Sequence, residues 1–373
     1  RVIRAFGKEK QETESFENKS GELLSSQLFV GKISALLNPV TYVMINLAII
    51  AVLRVGGGQV YKGILTQGQV LALYNYMSQI LVELIKMANL ILSMTKATAS
   101  AKRVAAILAL ESSLDVPQEN PEEPKAAPAV EFDGVTFTYP TGGAPALSDI
   151  SFTLEHGKTL GIIGGTGSGK STLIGLIPRF YDVQEGCVKV DGCDVRQYPL
   201  ETLRRKIGLV PQKALLFKGT IRENLLWGDE NAADDAIYDA LKAAQAQEVV
   251  DGKPEGLDYE VETGGRNFSG GQRQRLTIAR ALVRKPEVLI LDDSASALDF
   301  ATDAALRHAL RELPWKPAVV IISQRTASIR FADEILVLDD GKLAGRGTHD
   351  ELLQTCEVYR EIYESQFKKE DAR

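Results

Sequence analysis

Residues 158–172 read KTLGIIGGTGSGKST, and the run Gly164-Gly165-Thr166-Gly167-Ser168-Gly169-Lys170-Ser171-Thr172 decides the fold. An apolar strand candidate, residues 158–163, leads directly into it, and an apolar helical segment follows. This is the GxxxxGK[ST] pattern in its required strand, loop and helix setting. The glycines let successive backbone N–H groups curl around phosphate oxygens. The helix start adds the positive end of its dipole. Lys170 is expected to reach the β and γ phosphates, and Ser171 to ligate Mg²⁺. ATP and Mg²⁺ are the cofactors this loop calls for.

Further along the chain, residues 288–292 read VLILD. Four apolar residues make a strand buried on both faces. Asp292 closes it at the C-terminal end, where open parallel sheets place ligands, and is the expected Mg²⁺ carboxylate. Between the two motifs, short strands rich in Val, Ile and Leu alternate with helical stretches such as 234–247 and 271–284. That alternation is the mark of an α/β domain.

The chain has 373 residues, enough for more than one domain. Its formal charge of -6 gives no support for nucleic-acid binding. The three cysteines, Cys187, Cys193 and Cys356, match no zinc spacing and read as structural.

Two uncharged runs precede the α/β part. Residues 33–53, ISALLNPVTYVMINLAIIAVL, span 21 positions without a charge. At 1.5 Å per residue such a helix crosses a hydrocarbon layer. A kink is expected at Pro39. Gly56, Gly57 and Gly58 read as a turn. Residues 63–82 form a second uncharged run, more polar, with Gln67, Gln69, Asn75, Ser78 and Gln79. Together with Asn38 and Asn46, these polar groups either line a cavity or bond between helices. The helical composition continues to about residue 111. Residues 116–130, VPQENPEEPKAAPAV, carry four prolines and a run of glutamates and read as an extended linker. The expected domains are therefore a partial transmembrane region at 1–115, with helices near 30–54 and 63–93. A linker at 116–129 and a nucleotide domain at 130–367 follow.

One further segment is specific. Phe268-Ser269-Gly270-Gly271-Gln272-Arg273-Gln274-Arg275 resembles the signature segment of ATP-binding cassette (ABC) proteins, with Phe in the usual Leu place. Its own chemistry is a hydroxyl, an amide and free N–H groups at a helix start. Gln212 resembles the family's glutamine loop, Tyr139 its adenine-stacking aromatic, and Ser296-Ala297-Leu298-Asp299 its D-loop. RVIRAFGKEKQETESF, residues 1–16, resembles the cytoplasmic turn that carries a coupling helix in ABC exporters. The resemblance makes residues 1–27 that coupling region and the two apolar runs the fifth and sixth membrane helices. It also makes the start at Arg1 internal to a longer or processed chain, with about four helices ahead of it.

The resemblance implies a fold of membrane helices followed by an ABC-type P-loop domain. It assigns Tyr139, the loop from Gly164 to Thr172, and Ser269, Gly270, Gly271 and Gln272 to ATP. Ser171, Gln212 and Asp292 are assigned to Mg²⁺. Asp293, Gln324 and Gln212 fall at the catalytic positions. Two of these depart from the pattern. The family's efficient hydrolases carry Glu where this chain has Asp293, one methylene shorter. They carry His where it has Gln324, which cannot exchange a proton near neutral pH. Both changes touch the site built on this chain's own P-loop, while the signature, which serves the opposite site, is nearly regular.

The implied function is ATP-driven export by one subunit of a heterodimer. Its partner would be a different half-transporter with a competent glutamate. The implied location is the bacterial plasma membrane, with the nucleotide domain in the cytoplasm. The cargo would be a small molecule, lipid or peptide. A homodimer with slow hydrolysis and a non-transport ABC ATPase are the competing readings.

Overall fold

The computed structural model describes residues 2–110, 112, 114–124, 126–140, 142–294 and 296–367. They form two compact units, which divide after Glu111.

The first unit is helical. A short helix α1 (Val2–Ala5) precedes α2 (Glu9–Tyr61) and α3 (Gln67–Leu108). Pro39 lies inside α2, which continues through it. The glycine triplet does not make the turn its composition suggests: Gly56, Gly57 and Gly58 all lie within α2. Their use is close packing. A Cβ at Gly56 would stand 2.8 Å from Val70 Cγ1, so only glycine lets α3 come this near. The turn falls later, at Gly63 (φ 71°), and Thr66 caps α3 in a reciprocal box with Gln69. Gln69 thus serves a helix end. The Asn46 amide donates to Tyr42 O of its own helix at 2.9 Å. The side chain of Asn38 lies outside the described residues. The stretches Pro39–Tyr61 and Gln67–Leu108 are long and apolar enough to cross a membrane. Their large side chains, Leu47, Ile50, Leu71 and Ile80 among them, are exposed within this chain.

The second unit opens with an antiparallel layer. Strands β1 (Val130–Phe137) and β2 (Leu147–Leu154) pair, and β1 also pairs with β4 (Glu185–Val190), which meets β5 (Cys193–Asp194). Between them run β3 (Thr159–Gly164) and α4 (Lys170–Leu176). Helix α5 (Leu200–Lys206) then leads into β6 (Ile207–Val210). A helical region follows: β7 (Gly219–Thr220), α6 (Ile221–Leu226), α7 (Asp234–Ala243), α8 (Gln247–Asp251), β8 (Glu260–Val261) and α9 (Gly270–Val283). The chain returns through β9 (Val288–Asp292), α10 (Phe300–Arg311), β10 (Ala318–Ile322) and α11 (Thr326–Ile329). It ends with β11 (Glu334–Asp339), β12 (Lys342–Gly347), α12 (His349–Thr355) and α13 (Glu357–Phe367).

The central sheet has the order β12-β11-β3-β10-β9-β6, with β11, β3, β10, β9 and β6 parallel. Strands β9 and β10 are buried almost throughout, as the runs VLIL and AVVII require. One core lies between this sheet and the antiparallel layer, around Phe132, Ile162, Leu173 and Ile290. The other joins the sheet to the helical region, around Leu241, Leu276 and Ile278.

The proline-rich segment that composition marks as an extended linker is tied to this unit. Arg179 donates to Asp115 O at 2.7 Å, and Cys193 Sγ to Glu122 O at 3.3 Å. Tyr198 Oη donates to Glu123 at 3.0 Å. Lys206 holds Glu123, Asp191 and Glu287 at 3.0, 2.8 and 3.1 Å. Cys193 and Cys356 are buried and Cys187 half-buried, and all three are free thiols.

Candidate functional site

Parallel register delivers the site. Ile322 of β10 pairs with both Ile162 of β3 and Asp292 of β9, and Leu291 of β9 with Val210 of β6. Four adjacent strands therefore end together. The chain leaving them carries the P-loop, Gln324, Asp292-Asp293 and Gln212, so elements far apart in sequence meet along one sheet edge.

The loop itself is built by glycine. Gly164 lies so close to Leu338 O that a Cβ would stand 2.1 Å away. Gly169 takes φ 96°, and a Cβ there would meet Ala146 O at 2.8 Å. Lys170 curls into the loop and donates to Gly164 O (2.9 Å), Gly165 O (2.5 Å) and Ser168 Oγ (3.2 Å). Burial lowers its pKa, against the pull of Asp292 and Asp293. Gly165, Thr166 and Gly167 are exposed, as is Ser171, whereas Ser168 and Thr172 are buried.

Tyr139 stands over the helix start. Its hydroxyl lies 3.0 Å from Thr172 Oγ1, and its ring meets Phe137 and Tyr181 edge-on at 4.9 and 5.3 Å.

Asp292 is half-buried at the end of β9. Desolvation raises its pKa and the Asp293 charge raises it further, while Lys170 opposes both. Two adjacent carboxylates thus face one cation, an arrangement short of positive charge. Among the described residues no group of three His, Cys, Asp or Glu side chains forms a metal cage. The donors present are oxygens: the Ser171 hydroxyl, the Asp292 carboxylate and the Gln212 amide. That set fits Mg²⁺, which binds through one or two protein oxygens together with phosphates and water.

Asp293 has an unusual backbone, φ 45°, pinned by its N–H donating to Ile322 O at 2.9 Å. Its carboxylate lies 3.4 Å from Gln212 Nε2. Its carbonyl accepts from the Ser296 hydroxyl at 2.8 Å, which ties it to the D-loop. Gln324 is exposed, and its backbone carbonyl accepts from Gln366 Nε2 at 2.6 Å.

The signature segment opens α9. Ser269 caps α9: its Oγ accepts from Gln272 N at 3.2 Å, and Gln272 Oε1 accepts from Ser269 N at 2.9 Å. This capping box was not read from the sequence, although S-x-x-Q ahead of an apolar helix is its signal. It occupies the Gln272 amide oxygen and leaves the Ser269 hydroxyl proton free. Nothing lies within 4 Å of a Cβ built on Gly270, while one on Gly271 would meet Ala297 O at 3.2 Å. Phe268 is buried edge-on against Tyr259, with Lys253 above both rings. A ring fits this pocket and adds a cation contact that leucine lacks. Gln366 gave no signal in the sequence, since it stands in an ordinary amphipathic helix 42 residues from Gln324.

Comparison with known proteins identifies the family. Residues 147–296 match the ABC transporter family model, and residues 1–84 the ABC transporter transmembrane region. An uncharacterized ABC transporter ATP-binding protein of Mycobacterium tuberculosis is 40% identical over 98% of this chain and 63% of its own length. A probable multidrug resistance ABC transporter ATP-binding/permease protein of Bacillus subtilis is 37% identical over 98% of this chain and 62% of its own. The structure of a bacterial Atm1-family ABC exporter with ATP bound superposes with a TM-score of 0.87 at 29% identity. It covers 98% of this chain and 64% of that one. The chain therefore spans a little under two thirds of the relatives it matches. It belongs to the ABC transporters and carries helices of their transmembrane region ahead of an ABC-type ATPase domain.

Proposed function

We propose that the chain works as one subunit of an ATP-driven exporter in a bacterial inner membrane, with its ATPase domain in the cytoplasm. The observation that carries this is the meeting of P-loop, Asp292-Asp293, Gln212 and Gln324 at four neighbouring strand ends, in a chain that also bears apolar helices. ATP lies with its phosphates in residues 164–172 and its base against Tyr139. When Mg²⁺ is bound it neutralises the phosphate charge that Lys170 meets only in part, with Ser171, Asp292 and Gln212 as its protein oxygens. Asp293 and Gln212 orient the attacking water, and Gln324 donates toward the γ phosphate.

Ser269 to Gln272 serve the ATP of a second subunit. In this chain they form a helix cap with open space at Gly270, which suits contact in trans. Two ATP molecules would be closed between two domains, and closure would pass through residues 1–27 to the helices. The shorter Asp293 and the non-titrating Gln324 support weak hydrolysis at this chain's site, so the partner is a different subunit with Glu and His at those positions.

The test is ATP binding and transport by vesicles holding both subunits. Lys170→Ala should weaken a labelled ATP analogue at this site by about 10–100-fold, from the loss of one or two charge-assisted bonds. Unchanged binding would remove the site, and ATP-independent cargo movement would remove the export reading.

A further inference from the structure

We infer that Gln366 is a positioning residue for the switch segment, an amide clamp that fixes the backbone on both sides of Arg325 so that Gln324 can present its side chain. The inference rests on the reading of Gln324 as the group that meets the γ phosphate.

The clamp is two-sided. Gln366 Nε2 donates to Gln324 O at 2.6 Å. Gln366 Oε1 accepts from Thr326 N at 2.9 Å and from Thr326 Oγ1 at 3.0 Å. One primary amide, with its donor and acceptor side by side, matches a backbone carbonyl and a backbone N–H two residues apart. Two further bonds hold the segment. Ser323 N donates to Ile162 O at 3.2 Å, and Arg325 N to Ser323 Oγ at 2.9 Å. The backbone is thus held at the Ser323 N–H, the Gln324 carbonyl and the Arg325 and Thr326 N–H groups, while Gln324 remains exposed.

Position gives the clamp its purpose. Ile322, two residues before Gln324, is paired in register with Asp292. A shift of the segment would move Gln324 relative to the Asp292-Asp293 pair. Misplacement of about 1 Å at such a group is enough to cost of order a hundredfold in rate. A switch that uses a neutral amide in place of an imidazole relies on hydrogen-bond direction alone, so fixed geometry matters more. Gln366 is itself anchored, because α13 is held by the fully buried Tyr359, whose hydroxyl lies 2.7 Å from His349 Nδ1. Thr326 is fully buried, so its N–H and hydroxyl have no recourse to bulk water if Gln366 is lost. The final helix of the domain thereby sets the reactive position of a residue 42 places earlier.

The experiment is ATP occlusion by the purified full transporter, read as labelled ATP retained after rapid desalting, with equilibrium ATP affinity measured in parallel. Gln366→Ala should lower occlusion about fivefold, as expected for losing hydrogen bonds to buried partners. Initial ATP affinity should stay unchanged, since the P-loop is untouched. Gln366→Glu keeps the acceptor for Thr326 but turns a carboxylate oxygen against the Gln324 carbonyl in place of the donor, and should lower occlusion at least as far. In a Gln324→Ala background, Gln366→Ala should lower occlusion no further, because it acts through that side chain.

Additive losses would overturn the clamp, as would full occlusion by Gln366→Ala while Gln324→Ala is impaired. Unimpaired Gln324→Ala would remove the switch reading and the clamp with it. If Gln366→Ala fails to fold, the isosteric Gln366→Glu alone decides: wild-type occlusion by that folded variant overturns the proposal.

Discussion

The Gln212 side-chain amide stands 3.4 Å from the Asp293 carboxylate, joining the ends of β6 and β9 directly above the buried sheet. A carboxylate drawn toward a glutamine is not aimed solely at a phosphate-bound water. With one methylene fewer than Glu, Asp293 has little reach to spare.

Asp293→Glu should therefore raise hydrolysis at this site by about tenfold, and Asp293→Glu with Gln324→His should raise it further. In the proposed heterodimer the partner's site is first silenced by changing the glutamate expected there to Gln, so that phosphate release reports this site alone. The gain is opposed by the backbone, because position 293 has φ 45°, which Asp tolerates better than Glu. No gain from the double variant opposite a regular signature would detach the weakness from these two residues.

Tyr139 offers two separable contacts. Tyr139→Phe loses only the 3.0 Å hydroxyl contact to Thr172 and should leave ATP affinity within about threefold. Tyr139→Ala removes the ring and should cost about tenfold or more, since stacking on a base contributes roughly 1–3 kcal/mol. Equilibrium binding of an ATP analogue separates the two. Equal losses from both variants would place the base elsewhere.

Ser269 caps α9, and the proposed function gives it a second, remote duty. In a mixed dimer, Ser269→Ala should suppress steady-state turnover more than Asp293→Ala does, because it reaches the partner's ATP. It should also cost about 1 kcal/mol of stability by removing the α9 cap. Ser269→Asp keeps a capping acceptor for α9 and loses the hydroxyl donor. Wild-type turnover by that variant would reduce Ser269 to a cap.

Asp292 gives a pH-dependent signature. Its folded pKa is raised, so the ionised form is penalised by folding, and protonation favours the folded state. Without nucleotide, Asp292→Asn should raise the melting temperature near pH 7. That advantage should vanish as pH falls below the ordinary carboxylate pKa, where the wild-type side chain is protonated folded or unfolded. Thermal melts at several pH values check this. An advantage that persists in acid would mean the carboxylate penalty is not its source.

Much of this was legible in the sequence. The P-loop and VLILD motifs carry their strand settings with them, and residues 159–164 and 288–292 are strands. The helical nature of both uncharged runs was equally readable. The glycine triplet misled because its composition signals a turn, whereas its use at Gly56 is contact with Val70, a tertiary fact. The Gln366 contact was invisible for the same reason. A glutamine's partner 42 residues away leaves no periodicity, and only the docking of the last helix brings the two together.

The proline-rich segment before β1 has a consequence for how the chain tolerates change. It is gripped as well as proline-rich, with Arg179 on Asp115 and Lys206 on Glu123. A replacement of equal contour length in glycine and serine would preserve reach and lose anchorage. Lys206 is only 14% exposed among its three carboxylates, so bulk salt screens it weakly. The path of the segment is set by these anchors, with Cys193 on Glu122 and Tyr198 on Glu123 beside them, instead of by the number of residues.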